Sequence, residues 1–150
     1  MAEERFLMPQ EIEVLYVIPA IRRQFAIALK AEGSDQKSIA TLLHVTEAAI
    51  SQYISGKRAS QVVFDEATKV EIAKAAKRAQ KTGSFLVESQ KMLDLIRKRK
   101  ITCKAHRDFG GAADDCDVCF TCDSASGYTH LDVPVSKRNG KRLAISREGN

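Results

Sequence analysis

The chain has 150 residues, 44% of them hydrophobic and 29% charged, with 24 Lys/Arg against 19 Asp/Glu and a formal net charge of +5. That length suits one domain, or a small domain with an appendage. No apolar run approaches the ~20 residues needed to span a bilayer, and MAEERFLMPQEIE lacks the basic-then-apolar order of an export signal, so a membrane-spanning or secreted protein is not expected.

The charge is unevenly spread. Residues 1–60 hold seven basic and seven acidic side chains, whereas 61–100 hold ten and five. The sign reverses over 101–125, with two against five, and returns over 126–150 with five against two. An acidic, cysteine-bearing segment thus separates a basic middle from a basic tail.

In chain order, Pro19 fits the first turn of a helix, leaving EIEVLYV before it as a separate or kinked helical piece. PAIRRQFAIALKAEG then sets Ile21, Phe25, Ala28 and Leu29 at helical spacing, and Gly33 suits a left-handed stop. Asp35 is placed to cap QKSIATLLH, with Ile39, Ala40 and Leu43 facing inward. Thr46 caps TEAAISQYISG, which runs to Gly56. Two short capped helices separated by His44-Val45-Thr46 predict a helix-turn-helix within a domain spanning residues 1–60. Paired short helices of this kind also occur in plain helical bundles.

The outer side of the second helix carries Glu47, Ala48, Ser51 and Gln52 near its start, the part a recognition helix presents to major-groove base edges. Gln52 can pair with adenine and Glu47 can accept from cytosine N4. Thr46 stands at the same end. Gln36 fits a phosphate contact, and Lys57 and Arg58 supply cations just past the helix.

These residues carry a resemblance. Gln36-Lys37-Ser38-Ile39-Ala40 followed by Val45-Thr46-Glu47-Ala48-Ala49-Ile50-Ser51-Gln52-Tyr53-Ile54-Ser55-Gly56-Lys57 resembles the phage-repressor-like (Xre-type) DNA-binding helix-turn-helix. With IPAIRRQFAIAL the run is similar to archaeal Xre-type transcriptional regulators, in which further helices and a short cysteine cluster follow. The resemblance covers residues 9–58 closely and 59–125 in layout. It implies an all-α fold and double-stranded DNA as partner. Where the family's turn carries glycine this chain has His44, a residue that tolerates left-handed backbone better than most.

Residues 61–100 predict two helices. DEATKVEIAKAAKRAQK, opened by Asp65, shows a thin apolar face of Ala67, Val70, Ala73 (or Lys74) and Ala76. Gly83-Ser84 interrupts it, and SFLVESQKMLDLIRKRK resumes with Phe85, Leu86, Ser89, Met92, Leu93 and Ile96. Such faces need a partner surface, either the first domain or a second copy of the chain, and symmetric operators favour a homodimer. Arg97-Lys98-Arg99-Lys100 reads either as a nucleic-acid patch or as a solvated helix end.

Over 101–125 the cysteines Cys103, Cys116, Cys119 and Cys122 follow C-x12-C-x2-C-x2-C. The cytoplasm, the expected location, keeps thiols reduced, so a disulfide explains them poorly. Zinc ribbons pair their ligands two and two, whereas C-x2-C-x2-C with one remote cysteine is how ferredoxin-type loops hold a four-iron cluster. An iron–sulfur cluster (4Fe-4S) is the favoured cofactor. Gly110-Gly111 would let backbone N–H groups approach its sulfides, and Asp114, Asp115, Asp117 and Asp123 would lower its potential. Zinc is the alternative, with His106 in Cys103-Lys104-Ala105-His106 as a further ligand.

The tail, 126–150, contains the turn dipeptide Asn139-Gly140 with like charges on both sides, and Pro134 confines any strand to an edge. A basic tail ordered only on DNA is the expectation, and His130 beside Tyr128 reads as a hydrogen-bonding residue. No nucleophile–base–orienter set is present, so an enzyme is not expected. The combined reading is a dimeric DNA-binding regulator sensing redox, oxygen or iron. Three alternatives remain: a regulator with structural zinc, an electron-transfer or protein-interaction module that does not bind DNA, and an antitoxin-like regulator.

Overall fold

The structure, a computed structural model, describes residues 6–121. The chain divides into two compact units, Met1–Cys116 and Asp117–Asn150. In the first unit the order is α1 (Pro9–Ile12), a π-helical turn (Glu13–Val17), α2 (Ile18–Ala31), α3 (Gln36–Leu43), α4 (Glu47–Ile54), α5 (Glu66–Thr82), α6 (Phe85–Lys98) and α7 (Ile101–Phe109). The described part of the second unit contains α8 (Val118–Thr121). Every regular element among the described residues is helical, so the fold is all-α, and none of these helices is long and apolar enough to cross a membrane.

Pro19 explains the π turn. It has no N–H to offer the fourth carbonyl back, and its ring crowds that carbonyl. A wider turn just ahead of it accommodates the missing bond, so α1, the π turn and α2 follow one another without a gap in sequence.

Helix α2 is the hub. It buries Ala20, Ile21, Phe25, Ala26 and Leu29, and it packs against the π turn, α3, α4, α5 and α6. Phe25 is wholly buried and meets Phe85 edge-on, ring centroids 5.2 Å apart. Burying a side chain of that size stabilises by roughly 1.5–3 kcal/mol. Between α4 and α5, the stretch Val62-Val63-Phe64 alternates in, out, in: Val62 and Phe64 are core residues, while Val63 is exposed.

The inward face of α5 differs from the one expected. Thr68, Ile72, Ala75, Ala76 and Ala79 are buried, whereas Ala67 and Val70 are exposed and Ala73 is half-buried. A sparse Ala-rich pattern fits two helical phases, and packing on α2 and α6 chooses the one that puts Ile72 inside. In α6, Phe85, Ser89, Met92, Leu93 and Ile96 are buried as expected, but Leu86 is exposed and Glu88 lies inside. Arg78 and Lys91 both donate to Glu88 at 2.8 Å. Burial pushes the Glu88 carboxyl up, yet those two cationic hydrogen bonds outweigh it and hold the group below its usual range.

Helix α7 was not expected, although Ile101, Ala105 and Phe109 recur at four-residue spacing. It follows α6 through Lys100, whose backbone is left-handed at φ 59°. Leu7 holds it from the N-terminal side: the Leu7 N–H donates to the Gly110 carbonyl at 3.0 Å, and Nε2 of buried His106 lies 2.5 Å from the Leu7 carbonyl. Phe6 tilts against His106, and Tyr16 stacks on Phe109.

Candidate nucleic-acid interface

Asp35 opens α3. Its carboxylate accepts from the Ser38 N–H at 2.9 Å and the Ser38 hydroxyl at 2.6 Å, and the hydroxyl bond is the larger cause of a carboxyl held below its usual range. Ile39, Ala40 and Leu43 face the core. The helix ends at His44, which is left-handed at φ 54° and ψ 46°. There the His44 N–H donates to the Thr41 carbonyl at 3.3 Å and the Val45 N–H to the Ala40 carbonyl at 3.0 Å, the Schellman pair that usually surrounds a glycine. Two residues later Thr46 Oγ1 accepts the Ala49 N–H at 3.1 Å and starts α4. One helix terminator followed at once by one helix initiator makes this three-residue turn.

Ala49, Ile50 and Tyr53 are the buried side of α4, with Val45 half-buried beside them. Glu47, Ala48, Ser51 and Gln52 are all exposed, as is Thr46. Their spacing sets the four helical residues on one face. The six polar and charged positions singled out from sequence at this end and past it therefore reach solvent: Thr46, Glu47, Ser51, Gln52, Lys57 and Arg58. Gln36, at the start of α3, is half-buried.

One residue that sequence reasoning passed over lies against the same helix. Arg23, on α2, donates from Nε to the Tyr53 carbonyl at 3.2 Å, at the C-terminal end of α4. Its neighbour Arg22 has a similar sequence setting but lies over Phe85, 5.6 Å from the ring centroid. Only tertiary packing separates them.

The basic run is largely engaged within the fold. Arg97 forms a bidentate ion pair with Glu13, Lys98 pairs with Asp94 at 2.6 Å, and Arg99 donates to the Thr68 hydroxyl at 2.7 Å. These contacts favour a helix-end and clasp role over an open nucleic-acid patch.

The cysteines fall on both sides of the unit boundary. Cys103 lies in α7 and Cys116 in the turn after it, where its N–H donates to the Ala113 carbonyl at 3.1 Å. Both are half-buried. Cys119, on α8 in the second unit, is half-buried too, and Cys122 lies outside the described residues, as do Asp123 and the 126–150 tail with Tyr128, His130, Pro134 and Asn139-Gly140. Among the described residues no three His, Cys, Asp or Glu side chains gather closely enough to hold a metal ion. Nε2 of His106 meets the Leu7 carbonyl, so a zinc-ligand role would fall to its Nδ1. Gly110 differs from its expected use: its N–H donates to the His106 carbonyl at 2.8 Å and so is not free for a sulfide. Its reason for being glycine is steric, since a Cβ there would stand 2.5 Å from His106 Cδ2 and 2.7 Å from Ile12 Cδ1.

Compared with protein-family models, curated proteins and solved structures, the chain matches none of them.

Proposed function

We propose that this protein is a sequence-specific DNA-binding transcriptional regulator in which α3, the 44–46 turn and α4 act as a helix-turn-helix. The observation that carries the reading is the division of α4: Ala49, Ile50 and Tyr53 are buried, while Glu47, Ala48, Ser51 and Gln52 line the exposed side of its first turns. A helix so divided can lie in a major groove and offer Gln52 to adenine and Glu47 to cytosine. Gln36, Lys57 and Arg58 fit phosphate contacts that set register. A homodimer would supply two such helices for a symmetric operator. The direct test is selection from a random duplex pool by the full chain, followed by titration of the enriched site against a scrambled one. Enrichment of a paired half-site supports the reading. Equal affinity for all duplexes, or none, would sink it.

The proposal extends to the cysteines. Cys103, Cys116, Cys119 and Cys122 would hold a four-iron cluster, with zinc as the competing occupant. The three described thiols are half-buried rather than sealed in the core, which keeps them open to a ligand role. A cluster held there would supply one-electron redox chemistry. Cys103 rides on α7, α7 packs on α6, and Arg97 of α6 holds Glu13 beside α2, so within the first unit a contiguous path leads from Cys103 toward the DNA-binding half. Operator affinity that differs between loaded and cysteine-substituted protein would establish sensing.

A further inference from the structure

The fold pairs off much of the positive charge on α5 and α6. Lys69, Lys74, Lys77, Arg78, Lys91, Arg97 and Lys98 each sit in an ion pair. The C-terminal end of α4 is different. Arg23 reaches it from α2, Lys57 and Arg58 follow it in sequence, and none of the three has an ion-pair partner among the described residues. Each bond that orders this corner leaves charge to spare. Arg23 uses Nε alone on the Tyr53 carbonyl, and its Nη2 lies 3.6 Å from where a Cβ on Gly56 would be, beside the left-handed turn that leads into Lys57. Arg58 rests its guanidinium over the Tyr53 ring, 5.5 Å from the centroid.

A cation at a helix C-terminus has a simple electrostatic rationale, and one N–H on the Tyr53 carbonyl satisfies it. That does not explain three cations, two of them arginines held in orientation by the same tyrosine. An arginine anchored through Nε presents its two Nη groups as a fork suited to phosphate oxygens, with less conformational freedom left to lose on binding.

We infer that Arg23, Lys57 and Arg58 form a preorganised clamp for the backbone phosphates of duplex DNA at the C-terminal end of α4, with Arg23 a phosphate-contacting residue supplied by α2. The inference rests on the DNA-binding reading and adds to it a residue from outside the two-helix motif.

The test is a fluorescence-anisotropy titration of the full chain on a labelled duplex across a series of salt concentrations. Arg23→Gln should weaken binding to all sequences alike and lower the log–log salt slope by about 0.9. Arg23→Lys should keep the slope, because the charge remains, while binding more weakly than wild type because the anchored fork is lost. Lys81→Gln, which removes one exposed charge elsewhere, should leave the slope unchanged. Arg58→Gln, on the exposed turn, should also lower the slope by about 0.9, and it serves if Arg23→Gln unfolds. Wild-type binding with an unchanged slope in both glutamine variants overturns the clamp and spares the DNA reading. Wild type that binds no duplex overturns both.

Discussion

Arg97 grips Glu13 with both arms of its guanidinium, Nε to Oε1 at 2.5 Å and Nη2 to Oε2 at 2.6 Å, across 84 positions of sequence. The Glu13 side chain is only 10% exposed, while that of Arg97 is 46% exposed. The pair ties the C-terminal end of α6 to the π turn that precedes α2. The π turn thus serves two ends, accommodating Pro19 and bringing the Glu13 carboxylate to Arg97.

Removing one partner should therefore cost more than removing both. Arg97→Met leaves a nearly buried carboxylate unpaired and should destabilise by about 2 kcal/mol, discounted for the half-exposed arginine. Glu13→Gln together with Arg97→Met should recover part of that loss in urea denaturation. Losses of Arg97→Met and Glu13→Gln measured singly that simply add in the double variant would mean the pair carries no coupling.

Gln52 faces solvent on α4, clear of the packing made by Ile50 and Tyr53. Gln52→Ala should relax base preference at one half-site position by about 1–3 kcal/mol and leave helicity unchanged. A quantitative titration against single-base operator variants reads this directly; an unaltered profile would remove Gln52 from base recognition.

Acid should unfold the protein through its caps and its inner carboxylate. Asp35, hydrogen-bonded by Ser38, Asp65, hydrogen-bonded by Thr68, and Glu88, where Lys91 and Arg78 outweigh burial, are all held below their ordinary values. A folded-state pKa below the unfolded one gives stability that is present above the unfolded value and lost as pH falls through the folded one. The melting temperature should stay level from pH 7 to about 5 and drop below about 4. Glu88→Gln should lower stability at neutral pH and flatten that acid slope, as thermal melts in a buffer series would record.

Gly110 is a steric requirement rather than a hinge. Its φ of −116° is open to any residue, but Gly110→Ala drives a methyl into His106 and Ile12. The expected cost is about 1–3 kcal/mol of stability, by chemical denaturation. Gly33→Ala meets no neighbour within 4 Å and should suffer only from its left-handed backbone, so its loss should be the smaller.

If four cysteines hold a four-iron cluster, anaerobically purified protein should be brown, with iron and acid-labile sulfide each near about four per chain. Serine at Cys116, Cys119 or Cys122 should abolish the colour, serine being a poor soft ligand. Cys103→Ser, which removes only the remote corner, should leave a three-iron species visible by electron paramagnetic resonance. Colourless protein with one zinc per chain would retire the sensing proposal.

Sequence alone determined the helical class, the stops and starts around α3 and α4, and the outward row from Glu47 to Gln52. Each of these is a local property. A capping side chain, a left-handed terminator and a 3.6-residue period are decided within a few neighbouring residues, which is why Asp35, Thr46 and Asp65 could be placed at helix starts from pattern, and Gly83-Ser84 as a break. What tertiary structure decided lay where local preference was weak or a partner was distant. The Ala-rich α5 fitted more than one phase until Ile72 found the core, and Leu86 and Glu88 exchanged their expected sides because Arg78 and Lys91 were there to meet a carboxylate. Arg97 lies 84 positions from Glu13, and Arg23 lies 30 from Tyr53. An arginine's long side chain is compatible with solvent, a carboxylate or a carbonyl, so only the folded neighbourhood could assign these two their partners.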